Sequence, residues 1–351
     1  MAKIKLYKMN PIQYEDHIEL WEKELKDWVP EKIFDAHVHL GPVEAVGEIS
    51  PERLKLPLTT FTNLRLEELT AWYEKLYRTK RVEGLIAFPF PLQEVNLETA
   101  NRYIISIMQK KPEIKGFILS NPKNTRTTVK QFQEALKDGV RFYGVKPYFD
   151  LLGKSNYETI MPEFIPRDLL EFMDTEGLIL MLHTSGIGMG ERANQEFVIS
   201  IADDFPQIKI VLAHFGRYLK LQHFSDFLES RVLDYPSIFL EMSSVTQSEI
   251  YKMALGRRRL WPRILFGSDI PFGLITGVEF YQGETPTFIT REHYPWSSTE
   301  YSGRKDLTYN TYHVIKAIKD TLENLNLGEE DVEELKTDLF FRNAKSNLLG
   351  E

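Results

Sequence analysis

The sequence predicts an α/β fold and, within that class, a (β/α)8 barrel. Three observations carry this expectation. Eight short runs rich in β-branched and apolar residues recur along the chain, each closed by a turn. Amphipathic stretches of helical period follow most of them, and regular strand–helix alternation means parallel strands joined by right-handed crossovers. The chain has 351 residues, 42% of them apolar, and a barrel of this kind takes about 250 residues, which leaves roughly a hundred for decoration.

Taken in order, the elements begin with an N-terminal helix over Pro11 to Trp28. There Tyr14, Ile18, Trp21, Leu25 and Trp28 recur at spacings of three and four, giving an apolar face that closes the barrel bottom or packs on its side. The first strand runs from Ile33 to His39, and a long connection, Gly41 to Arg81, follows with a helix near its end. Strands at Gly84 to Phe90, Lys115 to Ser120, Val140 to Lys146 and Leu178 to Thr184 alternate with helices at Leu97 to Lys110, Thr128 to Asp138, Arg167 to Glu176 and Arg192 to Phe205. Strands at Ile208 to His214, Ser237 to Ser243 and Arg263 to Asp269 complete the eight, with helices at Leu221 to Leu233 and Gln247 to Arg258 between them. The stretch Ile270 to Lys305, rich in Phe, Tyr, Gly and Pro, is too long for an ordinary loop and reads as a lid or pocket wall. Helices over Leu307 to Leu325 and Glu329 to Phe341 finish the chain. No repeat and no Ser/Gly or Pro-rich linker divides it, so residues 1–31 are expected as a helical extension and 32–351 as one barrel domain.

Composition narrows the chemistry. The sequence contains no cysteine, which removes thiolate metal sites, cysteine nucleophiles and iron–sulfur centres, so any metal must sit on histidine and carboxylate. Lys and Arg number 43 against 51 Asp and Glu, a net charge of -8, which argues against nucleic-acid binding through a global positive field and for a small-molecule substrate. The N-terminal Met-Ala-Lys-Ile-Lys-Leu-Tyr-Lys has no apolar segment after it, and no run long enough for a membrane helix occurs. A cytoplasmic location away from membranes is the expectation.

The eight histidines divide into two groups. Asp35-Ala36-His37-Val38-His39 ends the first strand, where strict alternation would aim His37 and His39 together into the barrel, with Asp35 deeper on the same face and Phe34, Ala36 and Val38 outside. His183 ends the fifth strand, His214 the sixth and Asp269 the eighth, each after an apolar run. All C-terminal strand ends of a barrel converge on one mouth, so four histidines and a carboxylate would meet there. His17, His223, His293 and His313 close no strand and read as ordinary imidazoles.

At this point the residues resemble the amidohydrolase superfamily of metal-dependent TIM barrels. The wording Phe34-Asp35-Ala36-His37-Val38-His39, Gly144-Val145-Lys146-Pro147, Leu212-Ala213-His214-Phe215-Gly216, Leu265-Phe266-Gly267-Ser268-Asp269-Ile270-Pro271 and Arg342-Asn343-Ala344 is similar to its amidohydrolase-related branch, which includes aminocarboxymuconate-semialdehyde decarboxylase-like enzymes. The resemblance spans Lys32 to Leu348. It implies one divalent metal, most often zinc, held by His37, His39, His183 and Asp269, with His214 as a non-coordinating acid/base and Asp269 also taking a proton from water. It further implies relatives that are often homodimers.

Further residues surround this set. Lys146 ends the fourth strand and has two readings: a donor to a substrate carboxylate, or a carboxylated bridge to a second metal as in binuclear branches. Arg217 is a clamp for a substrate carboxylate or a surface arginine. Glu241 and Ser243 share one face of the seventh strand, either lining the barrel, with Glu241 behind a ligand histidine, or facing the helices. The Gly186-Ile187-Gly188-Met189-Gly190 loop lacks the residues of a nucleotide site, and no Gly-x-Ser-x-Gly elbow occurs. The leading expectation is a metal-dependent hydrolase of a small carboxylated or cyclic amide, ester or lactone. The alternative is a lyase, decarboxylating or hydrating an aromatic or muconate-like acid with the same ligands.

Overall fold

The computed structural model describes residues 17–282, 285–298 and 306–351. Eight parallel strands follow one another around a single sheet: β1 (Lys32–His39), β2 (Arg81–Phe88), β3 (Ile114–Leu119), β4 (Gly144–Lys146), β5 (Ile179–Leu182), β6 (Lys209–Leu212), β7 (Ile238–Glu241) and β8 (Ile264–Leu265). The β8–β1 seam is joined by backbone bonds from Ala36 N to Phe266 O (2.9 Å), Asp269 N to His37 O (2.8 Å) and His39 N to Ile270 O (2.9 Å). This is the (β/α)8 TIM barrel the sequence predicts.

Helices Leu66–Tyr77, Leu97–Lys110, Thr125–Lys137, Arg167–Glu176, Arg192–Asp204, Leu221–Leu228, Ser248–Leu255 and Asn310–Asn324 follow the eight strands in turn. Their starts and stops have local causes. Asn96 caps Leu97–Lys110 by accepting from Thr99 N at 2.9 Å, and Gly177 ends Arg167–Glu176 in a left-handed conformation, φ 62°.

Strand alternation sorts the apolar residues into two layers. Ile86, Phe88, Phe117, Ile179, Met181, Val211, Phe239 and Leu265 fill the barrel interior, whereas Leu85, Ile118, Leu180, Leu182, Ile210, Leu212, Ile238 and Leu240 pack under the helices. Polar residues that continue the inward rows beyond this plug, Lys146, His183, Glu241 and Ser243, therefore reach the C-terminal mouth.

The barrel bottom is closed by the chain's other end. The helical turns Asp338–Leu348, continuing from Glu329–Thr337, lie across it. Ala344 and Leu348 join the interior cluster, and Asn343 Nδ2 donates to Ile264 O at 2.8 Å. Of the expected Pro11 to Trp28 helix, helical turns cover Ile18–Leu20 and Trp21–Leu25, while residues 1–16, Tyr14 among them, lie outside the described residues. These turns take the side position: the Trp21 ring stacks on Tyr312 (centroids 5.7 Å) and meets Tyr77 edge-on (6.1 Å). Within the expected lid, β9 (Gly277–Gln282) and β10 (Thr285–Thr290) form an antiparallel hairpin; residues 283–284 and 299–305 lie outside the described residues.

Candidate metal centre

The first strand does not alternate as expected. Its register with β2 shifts between Asp35 and Val38, so Phe34 and Ala36 belong to the barrel interior while Asp35 turns outward. There its carboxylate accepts from Tyr73 Oη (2.7 Å), Ser268 N (2.8 Å), Ser268 Oγ (2.5 Å) and His37 N (3.2 Å). The irregularity returns His37 and His39 to the interior. Burial raises Asp35 to about 6 against the pull of Ser268 and Tyr73.

Glu241 is the hub beneath the histidines. It lines the barrel and is fully buried, accepting from Ser243 N (2.5 Å), Ser243 Oγ (2.9 Å) and His214 N (3.3 Å), with its Oε2 2.9 Å from His37 Nδ1. Burial raises its pKa while His214 and the Ser243 donors oppose that shift. With these donors already on the carboxylate, His37 donates from Nδ1 and keeps its Nε2 lone pair free. Gly267 makes room for the arrangement: a Cβ there would fall 2.3 Å from Glu241 Oε1 and 2.8 Å from His37 Cβ.

His214 reaches the mouth by a turn rather than by strand alternation. Ala213 already fills the inward position, and His214 and Phe215 take left-handed backbone angles, φ 54° and 52°. The turn places His214 Nδ1 3.0 Å from Ser243 O and its ring centroid 5.1 Å from that of His37. Ser243 Oγ also lies 3.0 Å from Nδ1 but donates to Glu241 Oε2, and a carbonyl only accepts, so these contacts fit the tautomer with the proton on Nδ1 and a lone pair on Nε2. Burial lowers His214 to about 4, with Asp269 opposing.

Asp269, also left-handed (φ 56°), puts Oδ1 3.4 Å from His37 Nε2 and 3.2 Å from His39 Nε2. Burial alone would raise this carboxyl, but His37, His39 and His214 outweigh it and hold it well below the ordinary carboxylate range. Burial also drives His37 well below its usual pKa. A neutral His37 lone pair facing an ionised carboxylate oxygen at this distance is repulsive unless a cation lies between them. The donor set, imidazole nitrogens and one carboxylate, suits a divalent transition ion.

His37, His39 and Asp269 thus form a compact cluster able to hold a metal. His37, His214 and Glu241 form a second close group, but its atoms are taken up in hydrogen bonds with one another and with Ser243. His183 stands outside both clusters. Its ring lies 5.5 Å from that of His214, its Nδ1 is buried without a partner, and burial pushes its pKa well down.

Lys146 is buried at the end of β4, with Nζ 4.7 Å from the Phe88 ring centroid and 5.8 Å from that of Tyr148. No carboxylate among the described residues pairs with it, and burial lowers it to about 8 although Asp269 and Glu241 oppose the shift. Arg217 is half-buried beside the mouth, its Nη1 donating to Thr184 O at 2.9 Å; burial lowers its pKa and Tyr148 and Tyr157 oppose. Tyr148 was absent from the expected set. Its ring lies 5.1 Å from His183 and stacks on Phe149 (4.4 Å). Its position two residues past the inward Lys146 was the available signal, interrupted by Pro147.

Barrel and cluster together define an α/β barrel with a His/Asp cluster able to hold a metal at its strand mouth. The chain belongs to the amidohydrolase family, whose model, described as amidohydrolase, matches residues 35–304. Three solved structures share the fold. A 2,6-dihydroxybenzoate decarboxylase complexed with 2,6-dihydroxybenzoate aligns at TM-score 0.54 and 14% identity over 92% of this chain and 100% of that one. 4-Oxalomesaconate hydratase from Rhodopseudomonas palustris aligns at 0.53 and 17%, over 90% and 95%. A dihydroxybenzoic acid decarboxylase from a Polaromonas species, with bound manganese and 2-nitroresorcinol, aligns at 0.51 and 14%, over 91% and 97%. No curated protein matches the sequence.

Proposed function

We propose that the chain is a metal-dependent lyase that decarboxylates an aromatic or conjugated carboxylic acid, with His37, His39, His183 and Asp269 holding one divalent ion. The ion supplies Lewis acidity to the oxygen atoms of the substrate. Zinc suits the donor set, and manganese, present in the similar Polaromonas decarboxylase, is the alternative that metal analysis separates.

The observation that carries the lyase reading is the position of His214 Nδ1, 3.0 Å from both Ser243 O and Ser243 Oγ, which fits a tautomer with its proton on Nδ1. With Nδ1–H committed to Ser243 O, neutral His214 cannot donate a hydrogen bond to a developing oxyanion, the part a hydrolase would need from it. It can take up a proton at Nε2 and return it. In decarboxylation the carboxylate leaves as carbon dioxide, the electrons of the broken C–C bond go to the ring or chain carbon, and that carbon takes the proton. Neutral His214 must first draw that proton from solvent, which its partial exposure at the mouth allows. Lys146 supports the same reading: a buried ammonium beside two aromatic rings, without a carboxylate partner among the described residues, matches an acidic, flat substrate. Arg217 offers a second cation, and the neighbouring decarboxylases and hydratase act on organic acids.

One observation favours a second reading. The Asp269 carboxylate lies 3.2 Å from His39 Nε2 and 3.4 Å from His37 Nε2, placed to accept from and orient a water at the cluster, as hydrolysis of a carboxylated ester, amide or lactone, or hydration of an unsaturated acid, would require. Metal-loaded protein should release carbon dioxide from hydroxybenzoates or unsaturated dicarboxylates and leave esters and lactones intact. Ester or lactone hydrolysis without carbon dioxide release reverses the assignment.

A further inference from the structure

Arg53 lies in the β1–β2 connection, outside the cluster described above, and is gripped on both sides. Its Nε and Nη2 donate to Glu94 at 2.7 and 2.9 Å, and its Nη1 and Nη2 donate to Asp150 at 2.6 Å each. Glu94 follows β2 and Asp150 follows β4, so one guanidinium ties three loops at the barrel mouth. Asp150 is almost completely buried and also accepts from Gln93 N at 2.8 Å. Such charge-assisted, two-pronged bonds between partly buried groups fix geometry strongly.

The two halves of this clasp differ in what lies beyond them. Asp150 is preceded by Tyr148 and Phe149, whose rings stack on each other and lie 5.1 and 5.8 Å from the His183 ring. Among the described residues, His183 Nδ1 has no hydrogen-bond partner, so these rings take the orienting part that a carboxylate or carbonyl usually plays behind a metal-binding histidine. His37, by contrast, is oriented by Glu241.

We propose that Arg53 is a positioning residue for the metal centre: its ion pair with Asp150 clamps the Tyr148–Phe149 segment against His183 and holds that imidazole in its ligating orientation. The proposal rests on His183 being a ligand. It makes the half of the clasp toward Asp150 functional and the half toward Glu94 merely stabilising.

The test is the rate at which excess EDTA strips zinc from the loaded full-length protein, with thermal stability measured in parallel. Asp150→Asn and Arg53→Met are expected to speed release by about tenfold, the usual scale for loss of support behind a metal ligand. Glu94→Gln is expected to lower the melting temperature comparably to Asp150→Asn while leaving release near that of the unaltered protein. Arg53→Lys, which keeps the charge, should restore part of the slow release. His183→Ala sets the upper limit. Release that follows melting temperature alike in the Glu94 and Asp150 variants, or that changes in neither, overturns the positioning role. If His183→Ala itself releases zinc no faster, His183 is not a ligand, and the metal-site reading beneath the proposal falls with it.

Discussion

His214 concentrates the argument at the scale of single residues. Its left-handed backbone, together with those of Phe215, Arg217, Ser244 and Asp269, gathers strained conformations at the mouth, each costing about 1–3 kcal/mol and kept only where the surroundings enforce it. His214→Ala should retain metal and lose about a hundredfold or more in turnover, as metal analysis and a carbon dioxide assay on one sample would show; loss of metal would make His214 a ligand. Lys146 supplies a pH prediction. Its folded pKa of about 8 lies below the free value of 10.5, so the unfolded chain binds more protons between those values and stability rises with pH through that window. Substrate affinity runs the other way: an acid held by the ammonium should bind progressively more weakly as pH rises past about 8. Lys146→Met should therefore raise stability at neutral pH by about 1–3 kcal/mol while weakening acid binding, seen as a higher melting temperature with a higher KM. The His37, His39 and Asp269 cluster was legible in sequence as polar residues at the ends of strand-like runs. Their geometry was not, since a positive φ at His214 or Asp269 leaves no compositional mark in a non-glycine residue.

Among the elements, β1 shows how a small irregularity builds a site. Strict alternation would place Asp35 in the barrel; the register shift turns it outward, where it joins β1 to the β8 end through Ser268 and to the helix Leu66–Tyr77 through Tyr73. Asp35→Ala leaves these buried donors unsatisfied and should cost about 3 kcal/mol or more. Asp35→Asn, which keeps an acceptor for Ser268 N and His37 N, should cost less. Urea denaturation of both variants checks the order, and equal losses would contradict this account. Helices such as Leu97–Lys110 and Arg167–Glu176 were legible to the residue because amphipathic period, cap and stop agree. The hairpin β9–β10 was not, because its aromatic and glycine content fits a loop equally well. The closure of the bottom by Asp338–Leu348, rather than by the N-terminal turns, depends on Ala344 and Leu348 meeting the interior cluster, a contact no local pattern announces.

At the scale of the whole molecule, the centre links distant parts of the chain: His37 and Asp269 are drawn together only when β8 closes on β1. An ion bound there favours the folded chain by mass action, about 2.7 kcal/mol at a hundredfold excess over its dissociation constant. Removing it should lower the melting temperature, and zinc or manganese should restore it. The fold follows from eight repeated strand–helix units and was readable as such, whereas the reaction depends on proton positions and ring contacts that arise only on closure. The most direct test of the central claim is metal analysis of the purified protein beside His183→Ala and Asp269→Ala. The account predicts about one divalent ion per chain in the unaltered protein and its loss from both variants; unchanged metal content in both would contradict it.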